Sequence, residues 1–190
     1  NSGDTMSRWE VSGIPDGEVG KFSIKSCTES SGHDSWLNYV GYANIPEGTY
    51  TVLFEKFSSS YLNIMQDTER EYNEHAWMID KMAGDVLVAG LGVGMLNVPL
   101  LASDATSITI VEKNQDVIDL VWEHCAKDER FTIITADINT WNPPEGSSWD
   151  IGWFDTWLTH DERLIDYMAR MQDRYGDYIG QINGWKWPSP

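Results

Sequence analysis

The sequence predicts an α/β fold: a mostly parallel sheet flanked by helices, preceded by a small N-terminal β layer. Three observations carry the prediction. From Asp85 onward, short apolar runs alternate with helix-like stretches, the rhythm of parallel strands joined by crossover helices. The first apolar run, residues 86–89, stops at Gly90, Gly92 and Gly94, as a buried strand does on entering a tight turn toward a helix. Before Asp85, β-branched and aromatic residues recur between turn formers, which marks strands joined by reversals.

Residues 1–20 read as loop, with Ile14-Pro15-Asp16-Gly17 a turn. Residues 21–25 alternate as a short strand. Residues 28–34 are turn-like, and the aromatic stretch 36–43 is either strand or irregular packed chain. Residues 49–57 and 61–65, broken by Ser58-Ser59-Ser60, form a hairpin. Thr68 with Glu71 three residues on is a capping box, expected to start a helix that runs to Met82 and ends at Gly84. Strand 85–90 then leads to helix 94–103, which carries Pro99 inside it. Strand 107–111, helix 115–126, strand 131–135, loop 142–146, strand 149–154, helix 161–174 and strand 177–182 complete the alternation. The expected division is a β layer over 1–67 and a nucleotide-type domain over 68–190. A fifth strand at the sheet edge favours pairing with a second copy, as a homodimer, or cover by the Trp-rich tail.

The chain has 190 residues and a net charge of −17, with 13 basic residues against 30 acidic ones. Nucleic acid and anionic membrane surfaces are therefore unfavourable partners. A small cationic molecule would be attracted, although a solvated acidic surface is the simpler account of the charge. No apolar run approaches the roughly 18 residues of a membrane span, and the first ten residues lack a secretory apolar core, so a cytoplasmic location is expected. Met6 is a candidate native start, which leaves open whether residues 1–5 are native. Cys27 and Cys125 are far apart, and His33, His75, His124 and His160 show no ligand spacing, so no metal site is expected.

Ligands of an open parallel sheet bind at the carboxyl ends of its strands. Those ends hold Gly90, Leu91, Gly92 and Gly94, then Glu112 with Lys113, then Asp137 with Ile138, then Asp155. Glycines there permit positive φ and close approach of a ligand to the backbone. An acid about 20 residues beyond such a turn is placed to accept ribose hydroxyls. Asp137 and the Ile138 backbone would meet an adenine edge, and Asp155 would face the reacting end. A dinucleotide turn requires G-x-G-x-x-G, but here the third glycine comes one position early. Gly90-x-Gly92-x-Gly94 instead resembles the S-adenosylmethionine turn of the Rossmann-like class I methyltransferase fold, which implies a sheet of order 3-2-1-4-5, here truncated after the fifth strand.

Within that fold, three stretches resemble the spermidine synthase-like, or aminopropyltransferase, branch. They are the strand and glycine turn of residues 86–94, with apolar Val88; Val111-Glu112-Lys113 through Val117-Ile118; and Gln66-Asp67-Thr68-Glu69-Arg70-Glu71, with Met78-Ile79 at a matching distance. The resemblance implies that Gln66 touches the amino-acid portion of a donor. The bound compound would be S-adenosylmethionine, or decarboxylated S-adenosylmethionine or methylthioadenosine. It also implies that Asp155 is the base or acceptor-orienting group for a small, cationic acceptor. Glu69 and Glu71 line the entrance or cap the helix, and Trp157 walls the acceptor or packs in the core. Two departures argue against polyamine transfer itself: Val93 and Leu158 stand where the branch carries aspartates. The sequence therefore predicts an S-adenosylmethionine-dependent transferase, with a non-catalytic nucleoside-binding or interaction protein on the same scaffold as the alternative.

Overall fold

The computed structural model describes residues 11, 13–29, 47–156 and 162–188. The aromatic stretch 36–43, Trp157 and Leu158 lie outside the described residues. The chain divides into two compact units, one of Asn1–Asn73, Gly92–Pro99 and Asp116–Ala126, the other of Glu74–Leu91, Leu100–Gln115 and Lys127–Pro190.

The first unit carries an antiparallel sheet of β1 (Gly17–Val19), β2 (Phe22–Glu29), β3 (Gly48–Phe57) and β4 (Ser60–Gln66), in the order β1-β2-β3-β4. The segment 17–19, expected as loop, is an edge strand because Gly20 takes φ 58° and reverses the chain onto β2. Ile24, Leu53 and Met65 pair across β2, β3 and β4 and are nearly inaccessible. Each contributes about 1.5–3 kcal/mol by leaving water. Asp67 follows β4, and its carboxylate accepts the Thr51 N–H at 2.7 Å and the Val11 N–H at 2.9 Å. Thr68 caps α1 (Glu69–Asn73) by accepting the Glu71 N–H at 3.2 Å, the first half of the expected capping box.

The second unit holds α2 (Ala76–Ile79), β5 (Ala83–Ala89), β6 (Asp104–Glu112), β7 (Phe131–Thr135), β8 (Trp149–Phe154), α5 (Leu164–Tyr175) and β9 (Ile179–Gly184). Two of the five divisions between units fall within helices: inside α3 (Asn97–Leu101) and at the start of α4 (Gln115–Val121). Its five strands form a wholly parallel, Rossmann-like sheet in the order β7-β6-β5-β8-β9. Leu87, Ala89, Val111 and Phe154 pack with Tyr167, Met171 and Tyr175 of α5 and with Trp187. Among the described residues no helix is long and apolar enough to cross a membrane.

Several helices differ from expectation for identifiable reasons. The single helix over 68–82 is two short ones, broken at Glu74-His75. There, the Trp185 indole donates to the Glu74 carboxylate and the Trp153 indole donates to His75. Gly84 does not stop a helix; β5 already begins at Ala83. The helix over 94–103 shrinks to Asn97–Leu101 because Gly92 (φ 56°) and Gly94 (φ 73°) hold left-handed backbone ahead of it. Pro99 thereby falls in the first turn, where its missing N–H has no intrahelical acceptor to lose. The helix over 115–126 stops at Val121 and tightens into one 3₁₀ turn over Trp122–His124. The last helix and strand, expected at 161–174 and 177–182, occupy Leu164–Tyr175 and Ile179–Gly184.

Candidate functional site

The carboxyl ends of the parallel strands are tied together one residue beyond the strands. The Ala136 N–H bonds the Glu112 carbonyl, Gly90 N–H bonds Val111, Asp155 N–H bonds Ala89, and Trp185 N–H bonds Phe154. This ladder fixes the backbone of Gly90, Glu112 and Asp155 along one sheet edge, within the second unit.

Glu112 is buried, and both carboxylate oxygens are in use: one accepts the Leu91 N–H at 3.1 Å, the other the Asn114 N–H at 2.9 Å. The acid expected to face a ribose therefore also pins the first step of the glycine turn. An ionised carboxylate offers about four lone-pair sites, so acceptor capacity remains for a ligand hydroxyl. Gly90 takes φ 102°, and a Cβ there would lie 2.8 Å from the Asp155 carbonyl oxygen. The N–H groups of Gly90 and Leu91 serve the fold, and α3 has only five residues, so the expected contribution of a helix dipole is small.

Asp137, after β7, folds into an Asx turn, accepting the Asn139 N–H and side-chain amide, each at 2.9 Å. Burial alone would raise its pKa. The Asn139 bonds, Lys113 and Arg170 outweigh this and hold it below the ordinary carboxylate value. Lys113 Nζ lies 4.0 Å from the Asp137 carboxylate. The Ile138 side chain is core, and its carbonyl accepts the Tyr175 hydroxyl.

Asp155 follows β8, with its Oδ2 3.8 Å from Nε2 of the fully buried His75. His75 Nδ1 accepts the Trp153 indole N–H at 3.0 Å, and Trp77 packs edge-on against the same indole. Beside Asp155, Thr156 and Tyr167 share a hydrogen bond of 2.5 Å. Burial pushes the Tyr167 phenol up to about 12, against the pull of Thr156 and Arg170. Arg170 grips Glu162 with two bonds, at 3.1 and 2.7 Å, and donates to Asn139 at 2.6 Å.

Three expected ligand residues belong to the first unit. Gln66 is fully buried; its amide nitrogen donates to Glu71 at 3.4 Å, and among the described residues its carbonyl oxygen has no hydrogen-bond donor. Such an oxygen costs about 1–3 kcal/mol unless something donates to it, so it suits the ammonium or N–H group of a ligand. Gly92 and Gly94 have reasons of their own: a Cβ would strike the Met65 sulfur at Gly92 and lie 2.5 Å from the Cys125 sulfur at Gly94. Sequence reasoning missed His75, Trp153, Tyr167 and Arg170. Only the adjacency of His75 to a segment already singled out, and of Trp153 to Asp155, offered a signal.

No family profile and no curated protein matches the sequence. Some solved structures resemble its fold. NodS, an N-methyltransferase from Bradyrhizobium japonicum in complex with S-adenosyl-L-homocysteine, is 15% identical with a TM-score of 0.46, covering 58% of this chain and 56% of that one. An S-adenosylmethionine-dependent methyltransferase from Mesorhizobium loti is 16% identical with a TM-score of 0.46, covering 57% and 48%. A precorrin 8w decarboxylase from Methanobacterium thermoautotrophicum is 14% identical with a TM-score of 0.42, covering 59% and 60%. The chain thus spans about half the length of the structures it matches, and the likeness concerns the fold.

Proposed function

We propose that this chain binds S-adenosylmethionine and transfers a group from it to a small, cationic acceptor, as a methyltransferase with affinities to the spermidine synthase-like branch. The observation that carries the reading is Glu112: a buried carboxylate at the end of β6, bonded to the glycine turn after β5 and two strands from Asp155 in the same sheet. Its remaining lone pairs would take the ribose hydroxyls, and the Asp137–Ile138 corner of the same unit would take the adenine. Decarboxylated S-adenosylmethionine and methylthioadenosine share the adenosyl group and are alternative occupants. When bound, the sulfonium supplies an activated electrophilic carbon, so alignment is the protein's main task. Asp155 would hold the acceptor nitrogen and accept its proton.

Calorimetric titration with these three compounds tests the reading. Binding of at least one is expected; no heat from a folded sample would sink it. Asp155→Asn should leave donor affinity within about twofold, because Asp155 is assigned to the acceptor side. A second reading, nucleoside binding without turnover, is favoured by fully buried, apolar Val93 in the turn. It predicts that bound S-adenosylmethionine is recovered intact after incubation with amine acceptors.

A further inference from the structure

We propose that His75 is the positioning residue of Asp155, locked by Trp153 as the Nε2–H tautomer and thereby excluded from acting as a base. An indole nitrogen only donates. Trp153 Nε1 lies 3.0 Å from His75 Nδ1, so Nδ1 must present its lone pair. The imidazole proton is then on Nε2, which faces Asp155 Oδ2 across 3.8 Å. An imidazolium would set Nδ1–H against the indole N–H, so the ring stays neutral. The separation from Asp155 exceeds a hydrogen bond, but contacts of this kind commonly tighten when a site fills.

The surroundings hold the ring in place. His75 is completely buried while the Asp155 side chain retains 16% exposure. Glu74, one residue earlier, is tied to the Trp185 indole, and Trp77 packs edge-on to Trp153 with ring centroids 5.6 Å apart. Of the pair, Asp155 is therefore the group an incoming molecule meets, and His75 orients it from behind. A carboxylate backed by a neutral N–H donor suits an ammonium or hydroxyl acceptor. The acceptor role rests on the transferase reading above; the tautomer does not.

The test is ¹⁵N–¹H NMR of the full chain labelled at histidine, with the His75 signals assigned by their loss in His75→Gln. The wild type near neutral pH should show a pyrrole-type Nε2 and a pyridine-type Nδ1. Asp155→Asn should keep that tautomer yet move the Nε2–H proton resonance, and Trp153→Phe should let the tautomers mix. A proton on Nδ1, a doubly protonated ring, or an Nε2–H resonance indifferent to Asp155→Asn would overturn the proposal. The spectra need no ligand. A chain that binds none of the three adenosyl compounds yet shows these shifts loses the transferase reading and keeps the assignment of His75.

Discussion

Replacing Glu112 separates its two roles, holding the turn and meeting a ligand. Its carboxylate accepts two backbone N–H bonds, at 3.1 Å from Leu91 and 2.9 Å from Asn114. A hydrogen bond to a charged group contributes roughly 1.5–3 kcal/mol. Leu91 is buried, so its N–H keeps that full value on losing its acceptor, whereas half-buried Asn114 recovers part from water. Glu112→Ala should therefore destabilise the chain by about 2–4 kcal/mol, read as a fall of about 5–15 °C in the melting midpoint. Glu112→Gln keeps one acceptor oxygen and turns an amide N–H toward the other donor, so about half the loss is expected. Urea unfolding measures this ordering, and titration with S-adenosylmethionine on the same samples should show a fall of about 10–100-fold in affinity for the alanine variant. An alanine variant with the wild-type midpoint and affinity would refute both roles. A destabilised variant with full affinity would leave the turn-pinning role and remove the ribose contact.

Three other outcomes follow from the geometry. The Tyr167 phenol is pushed up to about 12 by burial, against Thr156 and Arg170. The folded state therefore keeps a proton that the unfolded chain loses near 10, and stability should fall from pH 10 to 12 by about 2 kcal/mol; unfolding of Tyr167→Phe should lack that increment. Asp137 is held below the ordinary carboxylate value because Asn139, Lys113 and Arg170 outweigh its burial. Its contribution is present above the unfolded pKa and is lost as pH falls through the folded one, so acid unfolding below about pH 4 should be shallower in Asp137→Asn. At Gly94, where a Cβ would lie 2.5 Å from the Cys125 sulfur, Gly94→Ala should destabilise by more than 2 kcal/mol. Adding Cys125→Ala should return the steric part and leave about 1 kcal/mol of left-handed strain; additive losses in a double-mutant cycle would show that the sulfur is not the obstacle.

The central strands β5 and β8 were legible because each ends in an apolar run whose burial on both faces suppresses alternation, and the turn after β5 was legible because glycine there is a conformational necessity. Helix lengths were not legible. Residues 68–82 have helical periodicity, but Glu74 and His75 bond to Trp185 and Trp153, which lie 111 and 78 residues away. Partners so distant leave no local trace, and they outweigh helix propensity, which is worth tenths of a kcal/mol per residue. The same holds for the site. Glu112 and Asp155 were marked by their place at strand ends, whereas His75 becomes notable only once the sheet brings Trp153 beneath it.

The glycine turn shows why a motif and a site must be argued separately. Gly90 is required because a side chain would strike the Asp155 carbonyl, Gly92 because it would strike Met65, and Gly94 because it would strike Cys125. All three also take positive φ. Packing and backbone conformation therefore account for every glycine without a ligand. The spacing that suggests S-adenosylmethionine is equally the spacing this chain needs to close its own turn. Packing does not account for two buried polar groups, one in each unit. A buried carboxylate is an expensive way to satisfy two amides, and the Gln66 oxygen is buried without a donor among the described residues. Buried Glu112, already bonded to the turn and with acceptor capacity to spare, is a stronger structural argument for a ligand than the glycines are.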